Sequence, residues 1–137
     1  MTRRMGLLVS LSLLISLFAT AAAVTATKKG TEGCTPGYWR NHTLAGVSNL
    51  AFETVFEGTT VTSGTTTLKE AAAIGGGGLS ALVRHAAAAY LSAASGIDYL
   101  YSTADVVSMF NAANPGGNIE GTKNLFAAAN EMGCPLN

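Results

Sequence analysis

Between Leu79 and Ala94 the apolar side chains recur with a helical period, with Leu79, Leu82, Val83, Ala86, Tyr90 and Ala93 sharing one stripe. Ala81, Ala88, Ala89 and Ser92 occupy the other side, and Arg84 supplies most of the little polarity present. A helix that is small or apolar nearly all round is buried among its neighbours. The spacing therefore predicts a central helix over Leu79–Ala94. Ser95-Gly96 stops it, glycine being the usual residue for a left-handed terminus.

Shorter patterns flank that helix. Residues 48–57 place Phe52, Val55 and Phe56 at helical spacing and stop at Gly58. Thr59 to Thr66 is a polar, β-branched loop, with a short strand as the alternative. Thr67-Leu68-Lys69-Glu70 fits a capping box, and Gly75-Gly76-Gly77-Gly78 ends the helix it opens. Ser102 and Asp105 open another helix, whose buried face is Val106, Val107, Phe110 and Ala113. Asn114-Pro115-Gly116-Gly117 is a break. A last helix, from about Asn118 to Met132, is expected to bury Ile119, Leu125, Phe126, Ala129 and Met132. The fold class expected is all-α: a compact bundle of four to five short helices, with a turn at Thr35-Pro36-Gly37 before it.

The N-terminus reads as a secretory signal peptide over residues 1–26. Arg3 and Arg4 precede an apolar run from Leu7 to Phe18, and cleavage falls after Ala23 or Ala26. A retained anchor is the alternative, but the run is shorter than the ~20 residues of a spanning helix. Residues 27–137 are then a single secreted helical domain, expected in the medium or at the extracellular surface. Loss of Arg3 and Arg4 leaves six basic residues against eight acidic ones, a net charge near −2. Beyond Lys28-Lys29 there is no basic cluster, which argues against nucleic acid, and no membrane association is expected after cleavage. The low charged fraction, 12%, suits a matrix or envelope setting.

Two cysteines in an exported chain read first as one disulfide, here joining the N-terminal loop to the C-terminal tail through Cys34 and Cys134. Such a bridge closes a loop of about a hundred residues, worth ~4–5 kcal/mol in the chain-entropy model. A metal site and a reactive thiol, with His42 as its base, remain the competing readings.

Cys34 opens the segment Cys34-Thr35-Pro36-Gly37-Tyr38-Trp39-Arg40-Asn41-His42, which holds the sole tryptophan and one of two histidines. With the glycine run, Leu82-Val83-Arg84-His85-Ala86 and Gly133-Cys134-Pro135-Leu136, this segment resembles an uncharacterised family of exported proteins. Members of that family begin with a C-T-P-G-[YF]-W-[KR]-N-H-like motif and end near G-C-P-L. The resemblance covers essentially all of residues 27–137. It implies one extracellular domain bounded by its cysteines, and implies no activity and no catalytic residue.

Candidate binding residues are Tyr38, Trp39, His42 and His85. Exposed aromatics offer flat apolar faces with polar edges, suited to sugars or proteins, although the favoured reading of Trp39 is a hydrophobic lid over the cysteine junction. His42 and His85 could meet as metal ligands with Glu53 or Glu70, but neither has a second ligand at i+4 and no metal site is assigned. The favoured reading of His85 is a hydrogen bond to a neighbouring loop backbone that positions it, and small residues around it (Ala81, Ala88, Ala89, Ser92) could leave a recess. Asn41-His42-Thr43 matches the N-glycosylation sequon. The glycine run lacks the Lys-Ser/Thr of a phosphate loop, and no G-x-S-x-G is present.

The first expectation is an exported extracellular or cell-surface domain of non-catalytic structural, adhesion or binding role. Its partner would be an extracellular ligand, glycan or protein, and it needs no cofactor. The second is a small secreted enzyme or metal-binding protein using His42 and His85. A membrane-active peptide is disfavoured, because no helix is both basic and amphipathic.

Overall fold

The computed structural model describes residues 29–137, and the signal peptide expected over residues 1–26 lies outside them. Helix α4, Leu79–Ala94, runs through the middle with the bounds its periodicity predicts. Leu82, Val83, Ala86, Ala87, Ala88, Ala89 and Leu91 are fully buried along it. The alanines keep its flanks thin, so neighbouring helices pack close to its axis. Those neighbours are α1 (Pro36–Trp39), α3 (Leu68–Ala71), α5 (Thr103–Ala113) and α6 (Ile119–Asn130). With α2 (Phe52–Val55) the described residues hold six α-helices and two isolated bridges, so the expected all-α bundle is present.

The additional helix is the turn at Thr35-Pro36-Gly37, which continues for one helical turn. Thr35 caps the Tyr38 N–H, and Pro36 sits at the first helical position, where its missing N–H costs nothing. The segment read as helical over residues 48–57 is shorter than expected. Leu50 and Ala51 are drawn into a bridge with Thr67, the Phe52 N–H donating to Thr66 O at 2.7 Å and the Leu68 N–H to Leu50 O at 2.9 Å. Only Phe52–Val55 stays helical, and Phe52 and Phe56 stack at 4.6 Å beside Phe110. Residues 59–66 form no strand. Threonine hydroxyls brace the loop instead, Thr62 Oγ1 bonding Thr59 Oγ1 and donating to Glu53 Oε1.

Both predicted capping boxes close, Thr67 with Glu70 and Ser102 with Asp105. Helix α6 departs from its predicted face. Phe126, Ala129 and Asn130 point inward, while Leu125 and Met132 are about half exposed, at 51% and 52%. Asn130 can be buried because Tyr99 Oη donates to its Oδ1 at 2.8 Å and its Nδ2 donates to His85 O at 3.1 Å.

The residues leading into the bundle are tied to the α4–α5 connector. The Asp98 carboxylate accepts from the backbone N–H groups of Lys29, Gly30 and Thr31 and from Thr31 Oγ1. These bonds, Thr31's hydroxyl foremost, hold the Asp98 carboxyl below the usual range. Glu32 Oε2 accepts the Asp98 N–H in return.

Candidate functional site

Cys34 and Cys134 form a disulfide with Cα atoms 4.6 Å apart, joining the loop before α1 to the tail after α6. No free thiol remains among the described residues, so the metal and reactive-thiol readings of the cysteines are set aside. Beside the bridge, the Gly33 N–H donates to Gly133 O at 3.0 Å. A side chain at Gly33 would be driven into the Ala129 carbonyl, so glycine here lets the N-terminal segment lie against the end of α6.

The inner half of the Cys34–His42 segment is organised by one residue of α4. Ser92 Oγ accepts from the Cys34 N–H at 3.2 Å and from Trp39 Nε1–H at 3.0 Å, and donates to Cys34 O at 3.2 Å. One donor and two acceptor sites are all that a hydroxyl has, and all three are used. Trp39 is 2% exposed, so its ring is core and offers no docking face, and it shares Ser92 with the Cys34 backbone.

The outer half of the segment faces solvent. Tyr38 and His42 stack with ring centres 3.9 Å apart and planes within 5°. His42 Nδ1 lies 2.8 Å from Tyr38 O, and Asn41 Nδ2 donates to Gly37 O at 3.0 Å. His42 lies past the end of α1, and the turn at Arg40-Asn41 brings its ring back over Tyr38.

His85 belongs to a different element, α4. It is half-buried on α4, and its polar contacts are with Asn130 of α6 rather than with a loop backbone. Burial, with the Arg84 and Lys123 charges behind it, holds its imidazole below the ordinary range, and Glu131 pulls the other way. His42 and His85 share no hydrogen-bond partner. Glu53 is engaged by Thr62 and Glu70 by Thr67, and among the described residues no group of three or more His, Cys, Asp or Glu is placed to hold a metal.

His85 does line a recess, though not the expected one. Ala81, Ala88, Ala89 and Ser92 are buried in the bundle and leave no opening. The recess lies on the other side of His85, between α1, the end of α3 and the glycine run, with a volume of about 460 Å³. Arg40 and Arg84 stand on its walls with Pro36, Ala72 and Ile74. Arg84 Nη1 donates to Ile74 O at 2.7 Å and to Gly76 O at 3.0 Å, which pins the glycine run to α4. Sequence reasoning missed Arg40 and Arg84 as a pair. The available signal was that each is the lone Lys or Arg of its segment, Cys34–His42 and Leu79–Ala94.

No family model, curated protein or solved structure matches the chain. The class it falls in is defined by its own geometry: an all-α domain closed end to end by one disulfide, with a cationic recess beside its N-terminal helix.

Proposed function

We propose that this chain is an exported extracellular or cell-surface domain whose role is non-catalytic: structural, adhesive or ligand-binding. The observation that carries the reading is the Cys34–Cys134 disulfide, because such bridges persist in oxidising compartments and are rare in reducing ones. The signal-like N-terminus supports export, and so does the resemblance of the Cys34–His42 and Gly133–Leu136 segments to exported proteins. Within that segment Trp39 is bonded to Ser92 in the core and His42 stacks on Tyr38.

The test is expression of the full chain in a host with a secretory pathway, with mass spectrometry of the exported material. The expected product begins at residue 24 or 27 and has the mass of the oxidised chain with nothing bound. Cell-retained protein with an intact N-terminus and reduced cysteines would overturn the reading. A metal retained by the native protein and lost on His85→Ala would replace it with the metal-binding alternative.

A further inference from the structure

We propose that the recess between α1 and the Gly75–Gly78 run binds a small organic oxyanion. Arg40 and Arg84 hold its head group, and Pro36, Ala72, Ala73 and Ile74 cover a compact apolar body. The inference rests on the binding arm of the function proposed above and names the ligand class.

Charge is the first support. The chain carries as many acidic as basic residues, yet this recess is walled by two guanidinium groups and by no carboxylate. The one ion pair among the described residues joins Lys123 to Glu120, so Arg40 and Arg84 both lack an acidic partner. Two like charges on one concave surface with no carboxylate beside them make a local positive field that attracts an anion.

Geometry is the second. Arg84 is held in place by its two Nη1 bonds to Ile74 O and Gly76 O, so little side-chain entropy remains to be lost when a ligand arrives. The other N–H groups of its fork have no protein partner among the described residues. A guanidinium fork matches the spacing of carboxylate, sulfate and phosphate oxygens. A recess of about 460 Å³ is the size of a small-molecule site. Apolar wall residues beside one fixed and one free cation call for a ligand with an anionic end and a hydrophobic one.

The experiment is an amide NMR titration of the purified, oxidised protein at physiological salt. The probes are benzoate, phenyl sulfate and phenyl phosphate, with benzamide as the uncharged control of the same shape. The expected result is saturation in the ~millimolar range by at least one anion. Shifts should be confined to Gly37, Arg40, Gly75, Gly76 and His85, with no response to benzamide. Which head group binds best distinguishes carboxylate, sulfate and phosphate sources. Arg40→Gln, at an exposed position whose side chain makes no protein bond, should weaken binding by about tenfold, the scale of one lost charge-assisted contact. Failure of all three anions to saturate, equal binding of benzamide, or an Arg40→Gln affinity equal to the native one each overturns the proposal. The titration needs only folded, oxidised protein, so its failure is separate from a failure of export.

Discussion

Ser92→Ala removes one oxygen atom and three buried hydrogen bonds. The indole N–H of Trp39 and both backbone groups of Cys34 lose their partner together, in a region where Ser92 and Cys34 are fully buried and Trp39 is 2% exposed. A buried hydrogen bond contributes about 1 kcal/mol net, and stranding one of its ends costs about 1–3 kcal/mol. Three such groups, partly relieved by relaxation around one site, give a loss on the order of 3–5 kcal/mol. Alanine's better helix propensity returns only about 0.5 kcal/mol. A domain of this size has a total stability on the order of 5–15 kcal/mol, so the variant should fold but marginally. Urea denaturation of the oxidised protein, followed by fluorescence of its sole tryptophan, reads the loss and reports the Trp39 environment directly. Ser95→Ala, which removes a single half-buried bond to Ser92 O, is the control and should cost no more than ~1 kcal/mol. If Ser92→Ala matched that control with an unshifted emission maximum, the hub assigned to Ser92 would be wrong.

The remaining predictions concern the staple, the second buried polar chain and the pH response. Cys34→Ala with Cys134→Ala opens a loop with a sequence separation of 100, and should lower stability by ~4–5 kcal/mol in urea, enough to leave the domain marginal. Tyr99→Phe strands the buried Asn130 Oδ1 and should cost ~1–3 kcal/mol, measured as a lower thermal midpoint. His85 is held below its ordinary pKa by burial, then by Arg84 and Lys123, against Glu131, with Arg40 on the same recess wall. The unfolded chain therefore takes up this proton first as pH falls. The His85 contribution to stability is complete above about pH 6.5 and is lost as pH drops from there through the lowered folded value. His85→Gln should flatten stability between about pH 7 and 5 while leaving the steeper loss below about pH 4, where Asp98 and Glu70 are protonated. An unchanged slope between pH 7 and 5 would remove His85 as its source.

What the sequence showed, it showed where one local rule was sufficient. The bounds of α4 follow from the stripe Leu79–Ala93 and the Ser95-Gly96 stop, and Thr67/Glu70 and Ser102/Asp105 close because a capping box needs only neighbours three residues apart. The disulfide was legible because two cysteines allow one pairing. Long-range competition decided the rest. Residues 48–51 gave up helix for a bridge to Thr67, a partner that periodicity cannot see. On α6, hydropathy favoured Leu125 and Met132 for the core, but Tyr99 and His85 supply Asn130 with partners, and the inward face follows from that chain of bonds. The recess was hidden for a simpler reason: Arg40 and Arg84 come from separate helical segments, and only the closed fold puts them on one wall.

The two halves of the Cys34–His42 segment are coupled through α4. Ser92, late in that helix, fixes Cys34 and Trp39, and so fixes the helical turn that carries Arg40 to the recess. Arg84, about two turns earlier on the same helix, fixes the glycine run that forms the facing wall. The backbone that carries Arg40 and the Arg84 guanidinium are thus both held to one rigid element, with an anchor at each end. Preorganisation of this kind lowers the cost of binding, so loosening either anchor should weaken affinity for an anion without touching the residues that hold it. Ser92→Ala and Tyr99→Phe separate this from a general loss of stability, since both delete buried bonds but only Ser92 positions α1. In the benzoate and phenyl phosphate titrations, run well below both melting points, Ser92→Ala should bind a few-fold more weakly than the native protein and Tyr99→Phe should bind as well as it. Equal affinity in all three would show that Arg40 finds its place without the Trp39 anchor.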